Sequence, residues 1–311
     1  MWNQNFLFFA NRVEKLQICL TKNISYFFYA QNFGDLFDFS PARENRKFSD
    51  GYQIRKDGRF MATQEQIKKV QDMARTIRLH VLDMIGGKEG KVGHLGGSFS
   101  CADIMAALYF YKMRVNPQNP KDPGRDRMLM SKGHAVLAQY AALAELGYFP
   151  MEELQHVKCC GAMLQGHPDM TKTPGIEANT GSLGQGLSLG AGMAAGLKLD
   201  KSDRHVYVIM GDGEIAEGQI WEAAMWSAER KLDNLVGILD CNKVQATGAV
   251  KDRMDSGDLM AKWKAFGWHV IEIDGHKVQD ICDALDAADK VKDQPVLIFA
   301  NTVKGKYVSF A

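Results

Sequence analysis

No apolar stretch of this 311-residue chain approaches the ~20 residues that a membrane-spanning helix needs. Charge of one sign is equally scarce. Lysine and arginine number 38 against 37 acidic residues, a net charge of +1. That balance removes the electrostatic case for nucleic acid or an anionic membrane as partner. The six cysteines show no paired spacing, and Cys159 and Cys160 are adjacent rather than a CxxC pair. A disulfide framework is therefore not expected, and a reducing, cytoplasmic compartment is. No fixed-period repeat and no low-complexity tract is present. What remains is a chain 46% hydrophobic, enough for one large α/β domain or two small ones.

Residues 1–60 stand apart. They hold 14 of the 30 aromatic residues, with no clear period and no strand-turn order. FLFFA is too short for a secretory core and has no basic lead-in. A disordered or partner-binding arm, a presequence and upstream sequence translated from a misassigned start would each fit, and the last is favoured because MATQEQIKKV at Met61 reads as a start. The expectation is a poorly packed leader over 1–60 and a single domain over 61–311.

From Thr63 the pattern is that of an ordinary globular protein. Ile67, Val70, Met73, Ala74, Ile77, Val81, Leu82 and Ile85 make an amphipathic helix, ended by Gly86 and Gly87. A glycine-rich loop, KVGHLGGSFS, follows. Ser100 is placed to cap the next helix, with Asp103 three residues on. A strand over 126–130 leads into SKGHA and a helix to Gly147. Leu183 to Leu199 is a helix of small residues, a type that often packs at a subunit interface. Helices over 256–266 and 278–291 alternate with strands over 268–273 and 296–303. Strands alternating with helices imply a mostly parallel sheet with helices on both faces.

The most informative stretch runs from His205 to Gly248. A short β-rich run ends at Met210, and Gly211, Asp212 and Gly213 form a turn that lets backbone approach a ligand. A helix over 218–230 and a second apolar strand over 235–239 follow, delivering Asn242 to a loop. Two strands thus end side by side, one carrying Asp212 and the other Asn242. Ligands of parallel sheets sit beyond the carboxyl ends of the strands. A carboxylate and an amide oxygen there suit a hard cation such as Mg2+, completed by phosphate oxygens and water. Glycine amides and a helix N-terminus would hold the phosphates. A lone GDG is usually just a turn. GDG followed about thirty residues later by an asparagine after a second strand resembles the thiamine diphosphate motif.

His94, His134 and His167 each lie in a glycine-flanked loop: GHLGG, SKGHA and QGHPD. Their spacing matches no zinc pattern. His80, His156, His205, His269 and His276 are read as surface or capping residues. GHLGG, DRMLMSKGHA, GHPD, TGSLGQGLSLGAGMA, GDGEIAEGQIWEAAM and KLDNLVGILDCNK, in that order, resemble the N-terminal, diphosphate-binding domain of the transketolase family. The likeness covers 61–311.

The resemblance implies the following roles. Asp212, Asn242 and the main-chain oxygen of Val244 would ligate Mg2+. Gly211 and Gly213 would meet the diphosphate of thiamine diphosphate, and main chain at Gly181, Ser182 and Leu183 would contact the cofactor. His134 would lie against the cofactor and substrate, His167 would bond a donor hydroxyl, and His94 would handle a substrate hydroxyl proton or the acceptor carbonyl. Glu217 would couple two cofactors across a dimer. The reaction implied is transfer of a two-carbon ketol unit from a ketose phosphate to an aldose phosphate. The family's pyrimidine-binding domain and its activating glutamate lie beyond Ala311, so the chain would act as the N-terminal subunit of a split transketolase. It would need a separate C-terminal subunit, in a heterotetramer or dimer. Cys241, the ATG at 246–248 and Tyr307 depart from the family pattern and leave the sugar specificity open. A 2-oxo acid dehydrogenase α-type half-enzyme and a non-catalytic binding protein on the same fold are the alternatives.

Overall fold

The computed structural model describes residues 52–54, 60–86 and 93–308. The expected leader lies largely outside them. The chain divides into units 1–50 and 51–311. Within the second unit a two-stranded antiparallel pair, β1 (Tyr52–Ile54) and β2 (Phe60–Ala62), spans the expected boundary at residue 60.

Nine helices among the described residues are α1 (Gln64–Gly86), α2 (Leu95–Ser100), α3 (Ala102–Ala107), α4 (Val136–Glu145), α5 (Gln185–Leu199), α6 (Gly218–Glu229), α7 (Val250–Arg253), α8 (Leu259–Ala265) and α9 (Val278–Ala288). The main sheet has five parallel strands: β3 (Arg127–Met130), β4 (Val206–Gly211), β5 (Leu235–Cys241), β8 (His269–Asp274) and β9 (Val296–Asn301). Their order is β3-β4-β5-β9-β8. A small antiparallel pair, β6 (Val244–Gln245) with β7 (Gly248–Ala249), follows β5.

Strand alternation divides the core into two layers. Tyr207, Ile209, Val236, Ile238 and Ile298 face one layer, with α1, α3, α4 and α9. Val206, Val208, Met210, Leu239 and Leu297 face the other, with α5, α6 and α8. Both faces of β4 and β5 are thus covered, which is why these strands read as continuous apolar runs. The α/β architecture expected from the sequence is the one observed.

The start of the second helix differs from expectation. Ser100 ends α2 instead of capping a helix, and the cap position before α3 falls to Cys101. The GHLGG segment is likewise helical from Leu95. Ser100 is fully buried, and its hydroxyl donates to Asp240 Oδ2 at 2.5 Å. Asp103 pairs with Arg78 and His276 instead of the helix N-terminus. Short-range capping patterns lose when a buried charge elsewhere needs the same side chain.

The carboxyl ends of the five parallel strands lie at one edge of the sheet. The residues that follow them are Ser131 and Lys132 after β3, Asp212 after β4, Asn242 after β5, Thr302 to Lys304 after β9, and His276 after β8. A buried ion pair ties three of these ends together. Lys132 donates to Asp240 with both side chains nearly inaccessible, and Thr302 donates to the other oxygen of Asp240. Burial alone would lower the Lys132 pKa, but the Asp240 carboxylate outweighs it and holds the ammonium above the usual lysine range. Burial would likewise raise Asp240, and Lys132 reverses that.

Removing one member of a buried pair leaves the other uncompensated. Lys132→Met is expected to cost about 3–5 kcal/mol of stability in chemical denaturation. Lys68→Ala, in an exposed i,i+4 pair with Asp72, should leave the denaturation midpoint unchanged within error.

Candidate active site

The site is assembled from the loops at that sheet edge. β4 and β5 are adjacent and parallel, with Gly211 opposite Asp240. Asp212 and Asn242 therefore leave neighbouring strands at almost the same height. The Asp212 carboxylate accepts the backbone N–H of Lys243, the residue after Asn242, and the N–H of Gly213 at 2.9 Å. The Asn242 amide donates to Asp240 Oδ2 at 3.3 Å, and its oxygen accepts from Val244 N–H at 3.1 Å. The buried Lys132–Asp240 pair thus sets which way the Asn242 amide faces.

Asp212 is only 4% exposed. Burial pushes its carboxyl pKa up, against the lowering effect of the Lys243 N–H. A buried carboxylate held by two amides, with no ion-pair partner among the described residues, fits a cation ligand. Val244 supplies a carbonyl at the next turn, which accepts from the Lys304 ammonium at 3.2 Å. The donor set of carboxylate, amide oxygen and carbonyl is the hard-oxygen set that Mg2+ takes.

Glu214, directly after the GDG turn, is a hub. Its carboxylate accepts Ser131 Oγ–H at 2.5 Å, Gly184 N–H at 2.9 Å and Gly211 N–H at 3.0 Å. Burial raises its pKa, and these three donors oppose the shift. One buried side chain thus ties the SKGHA loop, the TGSLGQG loop and the GDG turn together. Gly213 lies against Gln245, whose Oε1 would stand 2.9 Å from any Cβ placed there. The turn after β4 and the turn after β5 therefore pack face to face.

The three loop histidines come together. The rings of His94 and His134 meet edge to face, centroids 5.2 Å apart. A Cβ at Gly97 would stand 3.3 Å from His134 Nε2, and one at Gly181 would stand 2.7 Å from the His167 ring. At Gly133 a Cβ would meet the main chain of Gly181 at 2.7 Å. Gly181 also has φ +131°, a backbone region that side chains avoid. Ser182 and Leu183 continue this turn into α5. The QGHPD loop is pinned by Tyr140, whose hydroxyl donates to Gln165 O at 3.1 Å. Burial, then the charge of Lys132, pushes His134 down to about 4. Burial and Lys158 lower His94 as well. At neutral pH His134 is an uncharged imidazole able to donate at one nitrogen and accept at the other.

Glu217 is exposed at the start of α6, its Cβ placed 2.7 Å from where a Cβ of Gly184 would lie. α5 and α6 also expose Leu189, Met225 and Trp226. Sequence reasoning missed Lys132, Asp240 and Glu214. The available signal was a charged residue at the end of, or just after, an otherwise apolar strand. His276 was read as a surface residue, and that reading is corrected. Its side chain is buried between Asp103 and the segment after β9.

Comparison with known proteins agrees with this geometry. The family model described as the thiamine diphosphate binding domain of transketolase matches residues 69–309. A 6-deoxy-6-sulfo-D-fructose transketolase subunit of Clostridium sp. (strain MSTE9) is 47% identical, covering 79% of this chain and 89% of that protein. An apulose-4-phosphate transketolase subunit from Phocaeicola vulgatus is 46% identical, covering 71% of this chain and 79% of that protein. Among solved structures, the transketolase of Campylobacter jejuni superposes with a TM-score of 0.73 at 32% identity, over 77% of this chain. The chain spans 38% of that longer protein. These relatives do not favour a 2-oxo acid dehydrogenase subunit or a non-catalytic binding protein. Motif order, sheet-edge geometry and relatives agree that the chain belongs to the transketolase family of transferases, as a subunit carrying the thiamine diphosphate-binding domain.

Proposed function

We propose that the chain binds thiamine diphosphate through Mg2+ held by Asp212, Asn242 and the Val244 carbonyl, and transfers a two-carbon ketol unit between sugar phosphates. The observation that carries this reading is the junction of two adjacent strand ends, where buried Asp212 is held by the amide next to Asn242. Bound thiamine diphosphate supplies the electron sink for breaking the bond beside a ketose carbonyl.

The residues of this chain do the rest. Gly211 and Gly213 would meet the diphosphate through their main chain, and Glu214 fixes the turn. Gly181, Ser182 and Leu183 present main chain towards the cofactor. His134, kept neutral by burial and by Lys132, would lie against the cofactor and substrate. His167 bonds a hydroxyl of the donor sugar. His94 moves the hydroxyl proton that is released as the carbon–carbon bond breaks and taken up as the new one forms. Neutral imidazoles suit both directions of that transfer.

The reading also includes a partner. Glu217 stands exposed at the start of α6, and α5 and α6 expose Leu189, Met225 and Trp226. A partner there supplies a second cofactor to couple through Glu217, and a separate chain carries the pyrimidine-binding domain, in a heterotetramer or dimer. The described cysteines are all free thiols, which fits a reducing cytoplasm. The 1–60 leader and the 61–311 domain remain part of the reading, with β1 extending the folded part to residue 52.

In complex with the partner, saturating Mg2+ and thiamine diphosphate should stabilise the protein. Ligand at a hundredfold excess over Kd corresponds to about 2.7 kcal/mol. Asp212→Ala should abolish this rise in Tm, and an unchanged rise would overturn the metal assignment.

The pH dependence follows from Asp212. Its folded pKa is raised above the ordinary 3.8. In the metal-free chain its contribution to stability falls as pH rises from 3.8 through that raised value. Mg2+ needs the ionised form, so the Mg2+-dependent rise in Tm should fade on acidification, once the carboxyl is protonated. A calorimetric series from about pH 7 downward reads this directly.

His94→Ala and His167→Ala should each lower kcat/KM by about 10²-fold or more while the cofactor-dependent rise in Tm persists. Steady-state kinetics beside thermal shift separates the two effects.

A further inference from the structure

We propose that His276 is a positioning residue that latches the segment after β9 onto the fold and so steadies the turn carrying Asn242 and Val244. The proposal rests on the Mg2+ and thiamine diphosphate reading above.

Thr302 to Gly305 crosses the edge of the site and each of its four residues is held, Thr302 also through its N–H, which donates to Cys241 O at 3.2 Å. Thr302 donates to Asp240. Gly305 N–H donates to Gly96 O at 3.1 Å. Lys304 donates to Val244 O at 3.2 Å and Gln245 O at 3.3 Å. Val303 N–H donates to His276 Nε2 at 2.8 Å. The Val303 side chain is 53% exposed, so little burial anchors this residue and its amide does the anchoring.

The tautomer of His276 follows from its partners. A backbone N–H only donates, so Nε2 accepts and carries no proton. The ring proton is on Nδ1, 2.9 Å from Asp103 Oδ2. Asp103 is clamped in turn by Arg78, whose guanidinium donates to its two oxygens at 3.1 Å and 2.5 Å. Arg78 also donates to Phe99 O at 3.3 Å. A relay therefore runs from α1 through α3 to the end of β8 and on to the segment after β9.

This relay buries three polar side chains at less than a tenth exposure. Apolar residues of similar volume would fill the space at lower desolvation cost. What they could not do is fix the Val303 amide. The fixed amide sets the path of Lys304, which has little freedom. A Cβ at Gly96 would stand 2.9 Å from Lys304 Cγ, so the lysine stem lies flat across α2 before its ammonium reaches the Val244 and Gln245 carbonyls. The latch therefore acts at a distance on the turn that bears two of the three metal ligands.

The test uses His276→Leu, which deletes both bonds, and His276→Gln, whose amide oxygen and NH2 can rebuild them. Hydrogen exchange at Val303 is measured without cofactor. Mg2+ affinity is measured by titration with thiamine diphosphate present and the partner bound. Loss of one buried hydrogen bond corresponds to about fivefold in an equilibrium. His276→Leu should speed Val303 exchange and weaken Mg2+ by about that factor or more, and His276→Gln should restore both. If His276→Leu does not fold, His276→Gln decides: it must match the wild type in both measurements. Unchanged exchange in His276→Leu, or a folded His276→Gln that leaves Val303 unprotected, overturns the latch. Faster exchange with unchanged Mg2+ affinity overturns its link to the metal turn. A wild-type complex that binds neither Mg2+ nor cofactor while exchange behaves as expected overturns the functional reading alone.

Discussion

The contact between the Lys132 ammonium and the Asp240 carboxylate is the constraint on which the remainder of the site depends. Neither charge could stay in so dry a place without the other. Once paired they gather the Ser100 hydroxyl, the Thr302 hydroxyl and the Asn242 amide around one carboxylate. The ends of three strands and one helix are thereby held at a common point. The same ammonium is close enough to push His134 towards its neutral form. Burial is the larger cause of that neutrality, and the ammonium adds to it.

Around this centre the fold supplies what a phosphorylated cofactor needs. The parallel sheet puts all its carboxyl ends on one side, so residues far apart in the chain arrive together without long loops. Glycines at 97, 133 and 181 let the histidine loops close on one another. Glu214 fastens the GDG turn to the two neighbouring loops. Rigid elements carry the groups, and their supporting hydrogen bonds are buried, the condition for a preorganised site.

Much of this was legible in the sequence, for identifiable reasons. Apolar runs at 206–210 and 235–239 marked strands covered on both faces. The Asp212 and Asn242 pairing followed because neighbouring parallel strands end together. The grouping of His94, His134 and His167 came from motif order in a family, because spacing alone says nothing about which loops meet. Other features were hidden by the one-dimensional pattern. Ser100 with Asp103 looked like a helix cap because local offsets match that motif, while both side chains serve partners far along the chain. His276 looked like a surface or capping residue, because a sequence does not tell that Asp103, 173 positions away, stands beside it. Lys132 and Asp240 were visible as odd charges in apolar surroundings, yet nothing short of the fold says that they belong to each other.

The contact between Gly133 and Gly181 has a consequence for how the site can diverge. Main chain touches main chain there, and a methyl group on either residue has no room. The His134 and His167 loops are therefore geared together, and re-aiming one drags the other. His94 enters from α2 on a separate connection and bears on His134 only ring against ring. Change in this site has its freest route through that third imidazole and its surroundings, while the geared pair moves only together.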